Sequence, residues 1–502
     1  MQKQFRSKQR IADHGEVFTA IREVRAMCDL VNDYAVRSDS TFLEPACGTG
    51  NFLEEILSRK LNNLPTQPDG STLLCDALSA AASLYGIELL SDNAEDCRNR
   101  LVRLWSDLTG FCDDRSVSYV RDIFSRNIIC GNTLSLHTAD SSGNDTPLPI
   151  TFCQWDTSAC PPAVTGSFLL SDLIAQGDNA QFRFNVIISN PPYQISDGGA
   201  QASALPLYNL FIDQAKSLSP DLITMIVPAR WYAAGKGLDK FRKNMLSDDR
   251  ISMLFDFCNA SDCFPGVDIK GGVCYFLWDK NYHGDCTVTS CVGDKHTSVM
   301  KRPLLEPDCN IFIRQNEAVA ILNKVRSFGE IPFSHFAMPA MTFGMRTYFR
   351  SFVSDSPGPD LVKLYANHST GYIRRDSVRR GSEFIDQWKV IVPEAVGSGN
   401  TATDVLKPII SEPGSVNTET YIMNGPWKNK QEAENVCAYI GTRFFHFLLG
   451  IRKITQHTTA KVYGFVPVQD FSVKWTDDML FKKYHLSDDE IRFINESVWN
   501  NS

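Results

Sequence analysis

Asn190-Pro191-Pro192-Tyr193 directly follows the apolar run Phe184-Asn185-Val186-Ile187-Ile188-Ser189. Two successive prolines cannot continue a ladder of backbone hydrogen bonds, so they hold the chain in a stiff extended turn and leave carbonyls without a partner. The side-chain oxygen of Asn190 and the carbonyl of Pro191 can then accept two hydrogen bonds from one planar amino group, while the Tyr193 ring offers a stacking face. Such a turn suits a flat heterocycle carrying an exocyclic NH2. The plainer alternative, a turn that merely ends a strand, would suffice for Pro-Pro alone.

A second set lies upstream in Glu44-Pro45-Ala46-Cys47-Gly48-Thr49-Gly50, between the apolar Thr41-Phe42-Leu43 and a helix that runs from Phe52. A strand, a glycine-rich turn and a helix start form a cradle that a ligand can approach closely. It lacks the Gly-Lys-Ser/Thr of a phosphate loop and the three glycines of the dinucleotide fingerprint. An acid opening the turn suits a ligand with a positive amino group. Ser83 to Glu88 reads as a second strand ending in an acid, the arrangement by which such sheets grip ribose hydroxyls. Ile128 to Thr133 reads as a third, with Asn132 at its polar end. For Glu88 or Asn132 taken singly, a solvated strand terminus is the alternative. Thr19 stands where the helix Ile21 to Tyr34 needs an N-cap; alternatively it lines a ligand site together with Phe18.

Both sets need a sheet whose carboxyl ends converge. Short apolar runs alternate with helical patterns up to Gly271–Trp278, which implies an α/β fold: a doubly wound, mostly parallel, Rossmann-like sheet. Residues 137–180 read as a polar surface insertion with one short strand near Ile150 to Phe152. Asp92 and Glu95 have the spacing of a capping box for the helix that ends near Leu108. From about 291 to 502 the pattern changes to short strands and loops, with a helix from Ala433 to Leu449 and a final one capped by Ser487 and Glu490, so a separate mixed α/β domain is expected there.

The chain has 502 residues, 43% of them hydrophobic, and a formal charge of -8. Residues 301–502 hold 24 Lys+Arg against 22 Asp+Glu, leaving 26 against 36 in residues 1–300, so the acidic excess is confined to the first part. Phosphate contacts must therefore come from local clusters. Fifteen cysteines without a Cys-x-x-Cys pair are expected to be reduced and mostly buried. No apolar stretch approaches the length of a membrane span, and the basic start leads into no signal sequence.

Glu44 to Gly50, then Glu88, then Asn190 to Tyr193, in that order on a doubly wound pattern, resemble the gamma-class N6-adenine-specific DNA methyltransferases of bacterial restriction-modification systems. The resemblance covers roughly 10–290. It implies transfer of a methyl group from S-adenosyl-L-methionine to N6 of an adenine flipped out of double-stranded DNA, without a metal. The catalytic set it implies is Asn190, Pro191, Pro192 and Tyr193. Gly48 and Gly50 would face the methionine part of the cofactor, within a turn formed by Glu44, Pro45, Ala46 and Cys47. Glu88 would face its ribose, Asn132 its adenine, and Phe18-Thr19 would be the N-terminal cofactor motif. Ala20 and Asn132 depart from the Pro and Asp common in that family. A separately encoded restriction endonuclease and a cytoplasmic, nucleoid-associated place in a bacterium go with the resemblance.

Residues 1–290 would then be the catalytic domain and 291–502 the target-recognition domain. Phe343-Gly344-Met345-Arg346-Thr347 and Val466 to Phe471 look like segments of such recognition domains. Candidates for DNA contact are Arg346, Arg374, Arg375, Arg379, Arg380, Lys453 and Gln456, for each of which a solvated surface is the alternative. Phe276 or Trp278 would give the second aromatic face for the base, with core packing as the alternative. Other acceptors, cytosine N4, an RNA base or a protein glutamine, also present an NH2 to such a turn. A non-catalytic DNA-binding subunit would carry a damaged turn, and both turns here are intact.

Overall fold

Neighbouring residues of a strand face opposite ways, so a strand buried on both faces must be apolar throughout. Leu84–Glu88 and Val186–Ser189 are buried at every position, and they lie in the middle of a sheet covered on both sides. The computed structural model describes residues 19–66, 73–195, 205–232, 237–267, 269, 271–293, 295–307, 309, 311–354, 358–396, 405–453 and 457–498. Phe18 and Gln456 lie outside the described residues.

Two compact units are formed, Met1–Arg314 and Gln315–Ser502. The strands of the first are β1 (Phe42–Glu44), β2 (Leu84–Glu88), β3 (Ile128–Asn132), β4 (His137–Ala139), β5 (Asp145–Pro149), β6 (Thr151–Asp156), β7 (Ala163–Leu169), β8 (Val186–Ser189), β9 (Gln194–Ile195), β10 (Leu205–Pro206), β11 (Leu222–Pro228), β12 (Ile251–Phe257), β13 (Val273–Asp279), β14 (Cys286–Val292) and β15 (Lys295–Arg302). Eleven of them form one sheet in the order β15-β14-β12-β13-β11-β8-β1-β2-β3-β4-β5. The central pairs β11/β8, β8/β1, β1/β2 and β2/β3 are parallel. Only β4, β13 and β15 run against the rest.

Helices cover both faces. Phe42, Leu84, Val186 and Ile188 pack against α1 (Ile21–Asp29), α2 (Asn51–Asn62), α3 (Leu74–Ala82), α4 (Ser91–Thr109) and α5 (Asp114–Asn127). Their strand neighbours Leu43, Tyr85 and Ile187 pack on the other face with α6 (Tyr208–Ser217) and α7 (Asp239–Leu246). Strands β1, β2, β3 and β8 therefore deliver Glu44, Glu88, Asn132 and Asn190 to one edge, where doubly wound sheets hold ligands. The second unit has two three-stranded sheets and its own aromatic core, with Phe333, Trp427, Tyr439, Phe445 and Phe471 in mutual contact.

Several expectations are corrected. The junction expected at 290/291 falls inside β14, which pairs in parallel with β12 and so keeps the first unit together to Arg314. The polar insertion holds four strands rather than one. Asp140 accepts from the N–H groups of Ser142 and Asn144 to turn β4 into β5. Phe152 of β6 and Phe168 of β7 point into an aromatic cluster with Tyr85, Phe182 and Phe184. Cys75 and Cys160 form a disulfide, with Cα atoms 5.2 Å apart, because the β6–β7 turn folds onto the start of α3; the other thirteen cysteines are free. Thr19 caps no helix, since Ala20 holds the N-cap position of α1 without a side-chain bond. Likewise α4 starts after Leu90 without a side-chain cap. The helix expected over 433–449 is two, Lys430–Ile440 and Arg443–Arg452, divided where Thr442 accepts from Phe445 N–H and caps the second. The capping box of Ser487 and Glu490 is present.

Candidate cofactor and acceptor site

A cavity of about 220 Å3 opens at the carboxyl ends of β1, β2, β3 and β8. Thr19, Glu44, Pro45, Ala46, Cys47 and Gly48 form one part of its wall, Glu88 and Asn132 a second, and Asn190 and Pro192 a third. The sequence motifs thus meet around one space. Leu89, Leu90, Asn93, Leu134, Leu207 and Phe211 complete it and were missed. Four of them follow the ends of β2 and β3 within a few residues, which is the signal that could have found them.

The glycine-rich turn is shaped by two positive φ angles. Gly48 (φ +52°) turns its N–H toward Glu88 Oε2, 2.9 Å away. Gly50 (φ +88°) lies outside the cavity wall; a Cβ there would sit 2.6 Å from the sulfur of Cys97 on α4. Its glycine is required by helix packing, which corrects the expectation that it faces the ligand. Arg100, also on α4, ties the turn down by donating to the Thr49 carbonyl and hydroxyl at 2.7 Å each and to Asn51 Oδ1 at 3.0 Å. Asn51 in turn donates to the Thr19 carbonyl at 3.0 Å, which ties Thr19 to the turn.

Glu44 is the electrostatic feature of the site. It is 2% exposed, and its Oε2 is buried with no hydrogen-bond partner. Burial, reinforced by Cys97 and Glu88, holds its carboxyl well above the usual carboxylate range. An unpaired buried carboxylate is costly, and a ligand cation is its natural complement. Glu88 accepts from Gly48 N–H, from Leu90 N–H at 3.1 Å and from the Asn93 amide at 3.4 Å. Asn132 donates to Asp145 at 2.9 Å and accepts from Leu134 N–H at 3.1 Å.

On the acceptor side, the Asn190-Pro191-Pro192-Tyr193 turn leaves β8 and is held when the Tyr193 carbonyl accepts from Leu207 N–H at 3.1 Å. The Tyr193 ring meets Phe264 edge to face, centroids 6.1 Å apart at 79°. Its hydroxyl is buried without a partner, and burial pushes it well above the ordinary tyrosine range.

The ring against Tyr193 is that of Phe264, itself 0% exposed, and not one of the two expected on β13. Phe276 and Trp278 are 0% and 2% exposed in the core. Trp278 pairs with Ile223 near the start of β11, at the opposite end of the sheet from the site, and it donates to Asp248 at 3.0 Å beneath Arg250.

Of the basic candidates in the second unit, Lys453 is buried and donates to the Val396 carbonyl at 3.2 Å, so it is not on the surface. Arg374 pairs with Asp376, Arg375 is bidentate on Asp386, and Arg346 lies 3.3 Å from Glu419. Arg379 and Arg380 are exposed. Lys389, another basic residue of this unit, is buried and donates to three backbone carbonyls.

Residues 85–264 match the Eco57I restriction-modification methylase family. An uncharacterized adenine-specific methylase of Mycoplasma pneumoniae is 37% identical over 123 residues, 23% of this chain, and the match spans 28% of that relative's length. Among solved structures, the DrdV–DNA complex is similar at 11% identity and TM-score 0.47 over 92% of this chain and 56% of that one. The type IIL restriction-modification enzyme MmeI in complex with DNA follows at 10% identity and 0.45, over 91% and 69%. The matched stretch, Tyr85 to Phe264, is the one that carries Glu88, Asn132 and the Asn190-Pro191-Pro192-Tyr193 turn.

Proposed function

We propose that this chain transfers a methyl group from S-adenosyl-L-methionine to N6 of an adenine flipped out of duplex DNA, as the modification activity of a restriction-modification system. The observation that carries the reading is the meeting, around one cavity, of an unpaired buried carboxylate with a turn of Asn and Pro acceptors. Glu44 would hold the cofactor's α-amino group, Gly48 allows close approach of its methionine part, and Glu88 has lone pairs for the ribose hydroxyls. The bound cofactor supplies a methyl group activated by its own sulfonium.

The chain's residues do the rest. The adenine amine is a weak nucleophile because its lone pair is delocalised into the ring. The Asn190 oxygen and the Pro191 carbonyl, accepting from both N6 hydrogens, favour a pyramidal nitrogen and aim its lone pair. Tyr193, braced from behind by the buried Phe264 edge, would stack on the extruded base, offsetting part of the few kcal/mol that flipping costs. The surplus proton on N6 leaves for solvent after transfer. Gln315–Ser502 would serve as the recognition unit, with Arg379 and Arg380 as exposed phosphate contacts. A separately encoded endonuclease would be its functional partner. Among the described residues no helix is long and apolar enough to cross a membrane, in keeping with work on chromosomal DNA in a bacterial cytoplasm.

The test is transfer of labelled methyl to unmethylated bacterial DNA with nucleoside analysis. The parent should make N6-methyladenine and Asn190→Ala should make none while still binding the cofactor. Label in N4-methylcytosine, in RNA or in protein would replace the acceptor, and cofactor binding without any transfer would leave a DNA-binding subunit.

A further inference from the structure

Arg22 and Glu23 stand in the first turn of α1, three and four residues after Thr19 at the cavity wall. Glu23 is 2% exposed, and a carboxylate persists in such a place only when its charge is compensated. Arg22 Nε donates to Glu23 Oε1 at 2.8 Å, and Arg22 Nη2 donates both to that oxygen and to the carbonyl of Asp262. The buried Cys263 thiol donates to Glu23 as well. Asp262 ends the 3-10 turn Ala260–Asp262, and two residues on stands Phe264, whose N–H donates to the Ala260 carbonyl at 2.8 Å. The turn is fixed from its other side by Gly293 N–H on Asp262 Oδ2 at 3.1 Å.

A continuous path therefore runs from the cavity wall at Thr19, through Arg22 and Glu23, to Asp262 and Cys263, and on to the Phe264 edge that meets Tyr193. An apolar pair would pack α1 against this turn at least as well. A guanidinium that bridges a carboxylate and a backbone carbonyl instead fixes direction and distance. We propose that Arg22 and Glu23 are positioning residues that set Phe264 against Tyr193, so that seating of the cofactor against Thr19 and seating of the extruded base are coupled. The inference rests on the methyltransferase reading above.

The test compares the full-length parent with Arg22→Ala and Arg22→Lys. The methylated position in DNA is first mapped with the parent, and 2-aminopurine is then placed there in a synthetic duplex as a probe of base extrusion. Arg22→Ala should lower kcat about tenfold or more, since a displacement on the order of 1 Å costs that much or more in an oriented reaction. The 2-aminopurine fluorescence gain should fall with it, while the dissociation constant for S-adenosylmethionine changes less than about twofold, and Arg22→Lys should recover part of both losses. Parental kcat and fluorescence in Arg22→Ala would overturn the proposal. So would a parallel fall of melting temperature, cofactor affinity and DNA affinity, which marks a pair that only packs. Where Arg22→Ala does not fold, Glu23→Gln, which keeps the shape and an acceptor oxygen, is read by the same measures. A parent that methylates no DNA refutes the functional reading itself, whereas an active parent with an unaffected variant refutes the coupling alone.

Discussion

Glu44→Gln should stabilise the protein and weaken its hold on the cofactor. The carboxyl is buried, one oxygen has no partner, and its folded value lies well above the ordinary 4.5. The sign follows from proton linkage. Between the unfolded and the raised folded value the native state holds a proton that the unfolded chain has lost, so the contribution is intact below about pH 4.5 and is lost as pH rises through the folded value. The loss is at most about 1.4 kcal/mol per pH unit. From pH 5 to pH 7 the variant should therefore gain up to about 2.7 kcal/mol on the parent, or roughly 4 °C in melting temperature at about 1.5 °C per kcal/mol for a unit running from Met1 to Arg314. Cofactor binding should move the other way, because a charged hydrogen bond of about 1.5–3 kcal/mol is lost and the dissociation constant rises about 10–150-fold. Thermal melts across pH, with titration calorimetry of S-adenosylmethionine, read both effects. Parallel melting curves, or a variant that binds the cofactor as the parent does, would refute the assignment of Glu44 as the seat of a ligand cation.

Gly50→Ala meets both a φ of +88° and the Cys97 sulfur at 2.6 Å, so denaturant melts should show a loss of about 2–4 kcal/mol; adding Cys97→Ala should return only the steric part. Trp278→Ala and Phe264→Ala should each cost about 3–5 kcal/mol in the same melts, but only Phe264→Ala should lower methyl transfer by the folded enzyme, with cofactor affinity within about twofold; loss of transfer in Trp278→Ala alone would restore Trp278 as the base partner. Arg379→Ala with Arg380→Ala should weaken DNA binding and lower the slope of log affinity against log salt by about 2. Arg375→Ala, whose guanidinium is held by Asp386, should change that slope less.

The cofactor half of the site was legible because each of its parts is local. A strand end, a turn and a helix start within ten residues leave marks in composition, and Glu44, Gly48, Glu88 and Asn132 meet as their strand positions imply. The Asn190-Pro191-Pro192-Tyr193 turn was legible too, but the ring beside Tyr193 was not, because Phe264 lies in the β12–β13 connection and meets it only in the folded chain. The return of β13 antiparallel between β11 and β12 buries Phe276 and Trp278, and nothing in the period of Tyr275 to Trp278 separates a base-facing side from a core-facing one. In the insertion, the strand near Phe152 was legible, but Ser, Gly and Pro dilute the alternation around Phe168, so its partner in the same aromatic cluster read as loop. Charge clusters were the poorest guide. All four arginines at 374–380 are exposed, but Arg374 and Arg375 are held by carboxylates, Asp376 and Asp386, the latter eleven residues along from Arg375.

Glu88 and Asn132 differ in what they still have to offer a ligand. A carboxylate has about four acceptor sites, and Glu88 gives one oxygen to Gly48 N–H and the other to Leu90 N–H and the Asn93 amide. These bonds hold the carboxylate toward the cavity instead of letting it swing to solvent. The Asn132 amide has one N–H on Asp145 and its oxygen on Leu134 N–H, so it meets a ring edge with a single free donor and one spare lone pair. An Asp at this position would carry no donor and would face Asp145 as a like charge. The departure from the family's usual Asp is therefore matched by a neighbour in this chain's own insertion, and exchange of Asp145 for Asn should make Asp tolerable at 132.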